Sequence, residues 1–274
     1  MFFPSILCGT YPFRGEELRK VIKESVDIGY RAFDTASKYK NETDLGLVLK
    51  ESGLNRDEYY ISTKLNIDDL YINKWHHKLR RVLPTVRSVK NAYENSCTRL
   101  GVEYCDLYLL HYPYPNYVKY WQAMTELFEA RKVKAIGVCS FGISQIESVK
   151  NIMQPHVNQI EMHPFCTNKD TLDYCKANGI HVEAFSPFAG GALTKELFEN
   201  TALIEIGKKY EKSVAQVILR WLIQLGVSPI PRTNKTFKLK ENYSLSDFEL
   251  SKADMKKIDS LDRNQSTLLS LHKY

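Results

Sequence analysis

The stretch CDLYLLHYP (residues 105–113) contains a short, continuous apolar run, Leu107–Leu110, which is followed at once by a histidine. An apolar run without alternation is typical of a parallel strand whose sheet is covered on both faces. Parallel strands need long crossover connections, and these are usually helices. The stretch therefore indicates an α/β protein with a parallel sheet.

The same pattern extends along the chain, where short β-branched or aromatic runs alternate with longer amphipathic stretches. The predicted strands are Ile6–Cys8, Ala32–Asp34, Tyr59–Lys64, Cys105–His111, Ala135–Cys139, His156–Glu161, His181–Phe185 and Ser228–Pro231. The predicted helices are Glu16–Ile28, Glu42–Ser52, Leu83–Leu100, Tyr117–Ala130, Ser144–Ile152, Lys169–Asn178, Val214–Leu225 and Ser251–Leu261. Eight strand–helix units in 274 residues predict a (β/α)8 barrel, or TIM barrel, with its functional site at the carboxyl ends of the strands.

The alternative fold is a doubly wound open sheet. Dinucleotide-binding proteins of that fold usually carry G-x-G-x-x-G after a strand, and P-loop enzymes carry G-x-x-x-x-G-K-[ST]. Neither motif occurs in the sequence. Because no linker rich in proline, glycine or serine divides the chain, we expect one barrel domain over residues 1–274.

Composition and charge narrow the classes of function. The hydrophobic fraction is 43%, enough for a large core, and the formal net charge is +6. This charge fits either an ordinary solvated surface or a site for an anionic ligand such as a phosphorylated cofactor. Because no stretch gathers five or six like charges and no nucleic-acid motif occurs, we expect no nucleic-acid partner.

The six cysteines form no C-x-x-C pair and lack the spacing of a zinc site, so no metal is predicted. The stretch MFFPSILCGTYPFR lacks the basic region of a signal peptide, and no segment approaches the roughly 18 apolar residues of a membrane span. These features predict a cytoplasmic protein with free thiols and no membrane association. We also expect a monomer.

Four polar residues stand at or just after predicted strand ends: Asp34, Tyr39, Lys64 and His111. This end of a (β/α)8 barrel carries the functional residues. Taken one at a time, each residue has an ordinary structural explanation. The tyrosine fits surface packing, the two charged residues fit a solvated rim, and the histidine fits a buried structural role.

Together the four residues form a set that suits proton transfer to a carbonyl oxygen. A phenol with a pKa of about 10 is a poor acid at neutral pH unless a nearby cation lowers that pKa. A buried Lys64 would supply the cation, Asp34 would keep it charged, and His111 would orient a substrate carbonyl by a hydrogen bond. The combination predicts Tyr39 as a proton donor.

The segment GYRAFDTASKYKNE (residues 29–42) resembles the signature of the aldo-keto reductase family that holds its aspartate and its catalytic tyrosine. The segments ISTKL, LYLLHYP, AIGVCSF, VNQIEMHP and IPRTNKTFKLKEN follow in the family's order and spacing, so the resemblance covers essentially the whole chain. It implies a (β/α)8 barrel with a catalytic tetrad of Asp34, Tyr39, Lys64 and His111. It also implies an oxidoreductase that reduces aldehydes or ketones with NADPH, with NADH as the alternative cofactor.

The resemblance also assigns a cofactor site. The residues that it implies are Gly9, Thr10, Tyr11, Asp34, Ser140, Gln159, Phe185, Ser186, Phe188, Arg232, Thr233, Lys238, Glu241 and Asn242. Gln159 matches the residue that holds the nicotinamide carboxamide, and Phe185 replaces a tyrosine that stacks on the nicotinamide ring. The family's usual Ser-Asn pair is Cys139-Ser140 here, so one amide is lost.

The segment PRTNKTFKLKEN matches the part of the family that binds the adenosine 2′-phosphate. The family's lysine, serine and arginine are replaced by Arg232, Thr233 and Lys238, which retain two cations and one hydroxyl. Arginine offers a bidentate fork to phosphate, and lysine offers a point charge. Glu241 and Asn242 match the adenine contacts, and the segment as a whole favours NADPH over NADH.

Tyr11, Tyr39, His111 and Tyr112 match the family's substrate pocket, which implies an aromatic cleft around a small carbonyl compound. The loop PYPNYVKYW and the tail STLLSLHKY are short, as in bacterial members that reduce diketo-sugar acids. Two other functions stay open. One is a cofactor-binding regulatory or redox-sensing subunit with little turnover, and the other is an isomerase or aldolase that uses Lys64 as a Schiff base.

Overall fold

The computed structural model describes residues 3–70 and 86–267. Within them, eight parallel strands pair in the order of the chain. The strands are β1 (Cys8–Gly9), β2 (Ala32–Asp34), β3 (Tyr60–Leu65), β4 (Leu107–Leu110), β5 (Ala135–Cys139), β6 (Val157–Glu161), β7 (His181–Phe185) and β8 (Val227–Pro229). The Leu7 amide donates to the Pro229 carbonyl and the Gly9 amide to the Pro231 carbonyl, each at 3.0 Å, and these bonds close the sheet. The predicted (β/α)8 barrel is confirmed.

Helices connect the strands on the outside of the barrel. The α-helices of the described residues are α1 (Gly15–Ile28), α2 (Glu42–Glu51), α3 (Val86–Leu100), α4 (Tyr117–Glu129), α5 (Ile143–Lys150), α6 (Lys169–Ala177), α7 (Ala192–Phe198), α8 (Thr201–Tyr210), α9 (Val214–Gln224), α10 (Thr236–Tyr243) and α11 (Lys252–Asp259). The first three residues of the predicted helix Leu83–Leu100 lie outside the described residues. Among the helices of the described ranges, none is long and apolar enough to cross a membrane.

The predicted elements differ from the observed ones in two respects. Strand ends shift by one or two residues, so that His111 directly follows β4 and Lys64 is followed by one more residue of β3. The predicted set also omits three helices, α7 and α8, which lie between β7 and α9, and α10, which follows β8. The sequence feature that could have predicted α8 is its N-cap residue, Asn200. The Asn200 side chain accepts from the Leu203 amide at 3.2 Å.

Alternation along each strand divides the core into two apolar layers. Tyr108 and Leu110 of β4 belong to the large layer between the barrel and its helices. Leu107 and Leu109 point the other way, into the barrel, where they pack with small side chains of β5 and β6. The barrel is therefore a filled core, and polar inward-facing side chains gather toward its carboxyl end.

Gly46 lies where α2 packs against the end of α3. A Cβ atom at this position would overlap the carbonyl oxygen of Leu100 and would lie 2.8 Å from its Cα atom. A backbone cannot move aside as the end of a flexible side chain can, so glycine alone fits this contact.

We expect Gly46→Ala to lower the free energy of unfolding by about 1–3 kcal/mol, as overpacking does. The better helix propensity of alanine acts in the opposite direction by about 1 kcal/mol, so a net loss reports the overlap itself. Urea denaturation followed by circular dichroism measures the difference. The control is Leu47→Ala, because Leu47 is 44% exposed in the same helix. A Gly46→Ala protein as stable as the wild type would contradict this packing of α2 on α3.

Candidate active site

The carboxyl ends of three neighbouring strands bring the four predicted catalytic residues together. Asp34 is the last residue of β2, Lys64 is the last but one of β3, and His111 follows β4. Tyr39 ends a 3₁₀ helix, Ser37–Tyr39, in the loop after β2. The loop therefore returns the phenol to the barrel end at which the other three side chains lie.

Lys64 and Asp34 form a buried ion pair. The Nζ atom of Lys64 donates to both carboxylate oxygens of Asp34 at 2.6 Å and to the carbonyl oxygen of Thr35 at 2.8 Å. The two side chains are 1% and 6% exposed. Burial by itself lowers the pKa of Lys64, but the Asp34 carboxylate outweighs burial and the pKa lies above its usual range. Lys64 is therefore a cation at every ordinary pH.

Tyr39 lies against this cation, with the Lys64 Nζ atom 5.3 Å from the centroid of its ring. Burial raises the pKa of Tyr39 to about 12, and the Lys64 charge acts in the opposite direction with a smaller effect. The prediction that the cation lowers this pKa is therefore right about the influence of Lys64 and wrong about the net direction. At neutral pH the phenol is protonated, which is the form that can donate a proton.

Aromatic side chains form a cleft around the Tyr39 ring. The ring centroid of Tyr11 lies 5.0 Å away, and the His111 ring meets Tyr39 edge-on at 5.9 Å. Tyr112 stacks on His111 with the ring centroids 4.4 Å apart. The four predicted pocket residues thus form one cluster of rings. Tyr11, which is 52% exposed, lies at the solvent side of this cluster.

Gln159 of β6 extends the polar network across the barrel. Its Nε2 atom donates to Oδ1 of Asp34 at 2.9 Å and to Oε2 of Glu183 at 2.8 Å. Glu183 of β7 is fully buried and does not belong to the predicted site. Its signal in the sequence was an acidic residue in the middle of the strand HVEAF, where both faces of the sheet are covered. Burial, with the Asp34 charge adding to it, raises the pKa of Glu183 to about 8.

Cys139 and Ser140 lie beside Gln159 at the end of β5. The Cys139 Sγ atom is 3.9 Å from Oε1 of Gln159, and the Ser140 amide donates to the Gln159 carbonyl at 2.9 Å. Burial raises the pKa of Cys139 to about 12, so its thiol is neutral. Ser140 has a left-handed backbone, with φ at 60°. Its half-buried hydroxyl is the polar group that this pair offers to a ligand.

The loop after β1 contributes mainly its backbone and the Tyr11 ring to the candidate site. The Thr10 hydroxyl donates to the Asp34 carbonyl at 2.9 Å, so this buried side chain holds the loop against β2. A Cβ atom on Gly9 would lie 3.3 Å from the Pro231 carbonyl oxygen, which shows how closely the loop approaches the end of β8. Tyr11 follows at the rim, and the Arg232 guanidinium lies 5.7 Å from its ring centroid.

The predicted residues after β7 lie at the same rim of the barrel. Phe185 is the last residue of β7 and is half-buried. Ser186 follows with a left-handed φ of 49°. Phe188 packs edge-on against Phe198 of α7 at 5.6 Å between ring centroids. These contacts fix the course of the loop and leave part of the Phe185 ring accessible.

The predicted phosphate-binding residues lie in the loop after β8 and in the first turn of α10. Arg232 and Lys238 are exposed, and the half-buried Thr233 accepts from the Lys235 amide at 3.2 Å. Glu241 and Asn242 lie further along α10, the first half-buried and the second buried. The segment therefore presents two exposed cations near a helix N-terminus, where backbone amides favour an anion.

The described part of the C-terminal segment is tied to the end of β6. The Thr267 amide and the Ser266 hydroxyl donate to the Glu161 carboxylate at 2.9 and 2.5 Å. Burial would raise the pKa of Glu161, but hydrogen bonds from His163, Ser266 and Thr267 outweigh it and hold that pKa at about 2. Residues 268–274, most of the tail that is predicted to leave the pocket open, lie outside the described residues.

Known proteins resemble this chain over nearly all of its length. Residues 6–263 match the sequence model of the aldo/keto reductase family. The chain is 40% identical over 255 residues to glyoxal reductase of Bacillus subtilis, which covers 92% of this chain and 86% of that protein. It is 33% identical over 267 residues to methylglyoxal reductase DkgA of Escherichia coli K12, covering 96% of this chain and 90% of that protein.

The same likeness extends to a solved structure. The crystal structure of the aldo-keto reductase AKR2E5 of the silkworm Bombyx mori, complexed with NADPH, has a TM-score of 0.86 with this chain at 29% identity. The match covers 97% of this chain and 86% of that one. The chain belongs to the aldo/keto reductase family.

Proposed function

We propose that the chain is an NADPH-dependent reductase that converts an aldehyde or a ketone to an alcohol, with Tyr39 as the proton donor. The observation that carries this proposal is the buried Lys64–Asp34 ion pair beside the protonated phenol of Tyr39. His111 faces the same phenol across the cleft. An acid, a fixed cation and an imidazole around one opening are what protonation of a carbonyl oxygen requires.

In this proposal each of the four side chains has a distinct task. The His111 imidazole orients the carbonyl by a hydrogen bond, and the Tyr39 hydroxyl donates its proton to the carbonyl oxygen as negative charge develops there. The tyrosinate that results is stabilised by the Lys64 cation. Asp34 keeps Lys64 charged and in place, since it accepts two of the three hydrogen bonds of the ammonium group.

The residues present fit NADPH by their chemistry, and the silkworm relative was solved in complex with NADPH. The Nε2 atom of Gln159 is used by two carboxyl groups, which leaves its Oε1 atom to accept from a carboxamide. The half-buried Phe185 can offer a ring face to the nicotinamide, and Arg232 and Lys238 can bind a 2′-phosphate. NADPH supplies the hydride of the reduction when it is bound.

The first substrates to examine are small 2-oxoaldehydes. Two relatives are named for glyoxal and methylglyoxal reduction. The cleft around Tyr39 is open and aromatic, so a compact carbonyl compound can reach the phenol. Oxidation of NADPH with glyoxal, methylglyoxal and a panel of simple aldehydes and ketones tests the proposal directly.

The same assay separates the alternatives. Tight NADPH binding with negligible turnover on every carbonyl compound would favour the regulatory or redox-sensing subunit. Trapping of a substrate on Lys64 by borohydride would favour the aldolase or isomerase. The raised pKa of Lys64 argues against that chemistry, because a Schiff base forms from the neutral amine.

We expect Tyr39→Phe to lower kcat for carbonyl reduction by about 10²- to 10⁴-fold, the usual contribution of a general acid. The dissociation constant for NADPH should change by less than about twofold, because the ring and its contacts remain. Stopped-flow turnover and a fluorescence titration measure the two quantities. The control is Tyr104→Phe, which removes a hydroxyl before the start of β4, at the opposite end of the strand from His111. A Tyr39→Phe enzyme with the turnover of the wild type would overturn the assignment.

We expect Arg232→Ala and Lys238→Ala each to raise the KM for NADPH by roughly 10- to 100-fold, the loss of one hydrogen bond to a charged group. The KM for NADH should stay within about twofold, since NADH lacks the 2′-phosphate. Steady-state kinetics with both cofactors measure the ratio. Lys240→Ala is the matched control, because residues two apart on a helix do not face the same way. An equal loss for both cofactors would show that the segment binds a part they share.

A further inference from the structure

Glu183 lies inside the barrel next to Gln159 and takes no part in the proposed proton transfer. The two residues are direct neighbours in the register of β6 and β7. The Glu183 side chain is fully buried, and its Oε2 atom accepts from the Gln159 Nε2 atom at 2.8 Å. A buried carboxyl group in such a place needs an explanation, since a well-packed apolar residue would cost less.

We propose that Glu183 is a positioning residue that fixes the orientation of the Gln159 amide and, through it, of the nicotinamide carboxamide. The proposal rests on the proposed function, because it assumes that Gln159 binds that group. It adds a residue whose role is to determine which face of the nicotinamide ring is turned toward the substrate.

The two ends of the Gln159 amide differ, since its NH2 group donates hydrogen bonds and its oxygen accepts them. Two carboxyl oxygens, Oε2 of Glu183 and Oδ1 of Asp34, face one end of the Gln159 side chain at 2.8 and 2.9 Å. The Asp34 carboxylate, paired with Lys64, can only accept, so the NH2 group occupies this end, and each of its two protons has a partner. The Oε1 atom then points to the other end, where the Cys139 Sγ atom lies 3.9 Å away. The Oε1 atom of Gln159 is thereby held at the end of the amide that faces Cys139.

Asp34 alone could not hold this orientation as firmly. Its Oδ1 atom already accepts from the Lys64 ammonium at 2.6 Å. Without the Glu183 carboxyl group, the second N–H of Gln159 would lose its acceptor inside the barrel, which costs about as much as a broken buried hydrogen bond. The amide could then turn toward any other acceptor, including a ligand, and its Oε1 atom would no longer be fixed.

The role needs an acceptor and does not need a charge. Burial and the nearby Asp34 carboxylate raise the pKa of Glu183 to about 8, so the group is mostly a neutral carboxylic acid at pH 7. The carbonyl oxygen of a neutral carboxyl group is still an acceptor, as an amide oxygen is. We therefore expect glutamine at this position to perform the role of Glu183. We expect methionine, which is unbranched and of similar length but lacks the acceptor, not to perform it.

Three variants of the full-length protein test the proposal. Glu183→Met removes the acceptor, Glu183→Gln keeps it, and Ser62→Ala is the control for changes inside the barrel. Ser62 is buried on β3, and within the described ranges its hydroxyl has no hydrogen-bond partner. Binding of NADPH and of adenosine 2′,5′-bisphosphate, a fragment without nicotinamide, is measured by fluorescence or calorimetry. Hydride transfer is followed with NADPH that carries deuterium at one C4 position.

We expect the wild type, Glu183→Gln and Ser62→Ala to transfer hydride from a single face of the ring. Glu183→Met should bind NADPH about five- to tenfold more weakly, as after the loss of one buried hydrogen bond. A measurable part of its hydride transfer should come from the opposite face of the nicotinamide ring, which changes the amount of deuterium found in the alcohol. Its affinity for adenosine 2′,5′-bisphosphate should stay within about twofold. A general loss of structure would weaken both ligands, so the difference between them isolates the nicotinamide end.

Other outcomes identify which idea fails. A wild type that neither binds NADPH nor reduces carbonyl compounds would overturn the proposed function itself. An active wild type with a Glu183→Met variant of equal affinity and one-sided transfer would overturn the role of Glu183 alone. If Glu183→Met does not fold, Glu183→Gln decides: wild-type affinity and stereochemistry support a neutral acceptor, and a tenfold loss of NADPH affinity contradicts it.

Discussion

The buried ion pair of Lys64 and Asp34 is the interaction on which the rest of the site depends. A charge removed from water costs several kcal/mol unless it is paired and hydrogen-bonded. All three protons of the Lys64 ammonium group have acceptors here, two on Asp34 and one on Thr35. Neither charged partner can be lost without leaving the other buried alone, so the ends of β2 and β3 must stay in register. The positions of Tyr39, His111 and Gln159 are then set by the strands and loops around this pair.

Two opposing effects determine the protonation state of the Tyr39 phenol. Burial disfavours the phenolate, and the Lys64 cation favours it, and burial is the larger of the two in this structure. The result is a phenol that keeps its proton at neutral pH, with a cation next to the oxygen on which charge would appear after the proton leaves. A group that is to donate a proton to a developing alkoxide needs both properties. In the proposed reaction the Lys64 cation therefore matters more for the tyrosinate formed by the transfer than for the acidity of the resting phenol.

Sequence reasoning found the barrel because its strongest signals are local ones. Short apolar strands such as Leu107–Leu110 carry their own pattern, and polar residues at strand ends stand out against it. The helices α7, α8 and α10 were missed because an extra helix after a strand leaves the strand–helix alternation unchanged. Glu183 was missed for a different reason. Its partner Gln159 is 24 residues away in the chain, and only the register of β6 and β7 brings the two together.

Cys139-Ser140, which departs from the family's Ser-Asn pair, contacts the same network at Gln159. Ser140 holds a left-handed backbone with φ at 60°, a conformation in which asparagine is favoured over serine. The hydrogen bond from its amide to the Gln159 carbonyl at 2.9 Å helps to maintain this conformation in spite of the substitution. Cys139 adds a neutral thiol, a weak partner for a polar ligand. Of the amide side chains that the family usually places here, the chain keeps only that of Gln159. In the proposed function the orientation of that one amide therefore matters more in this chain than where an asparagine shares its task, and two carboxyl groups, Asp34 and Glu183, hold it.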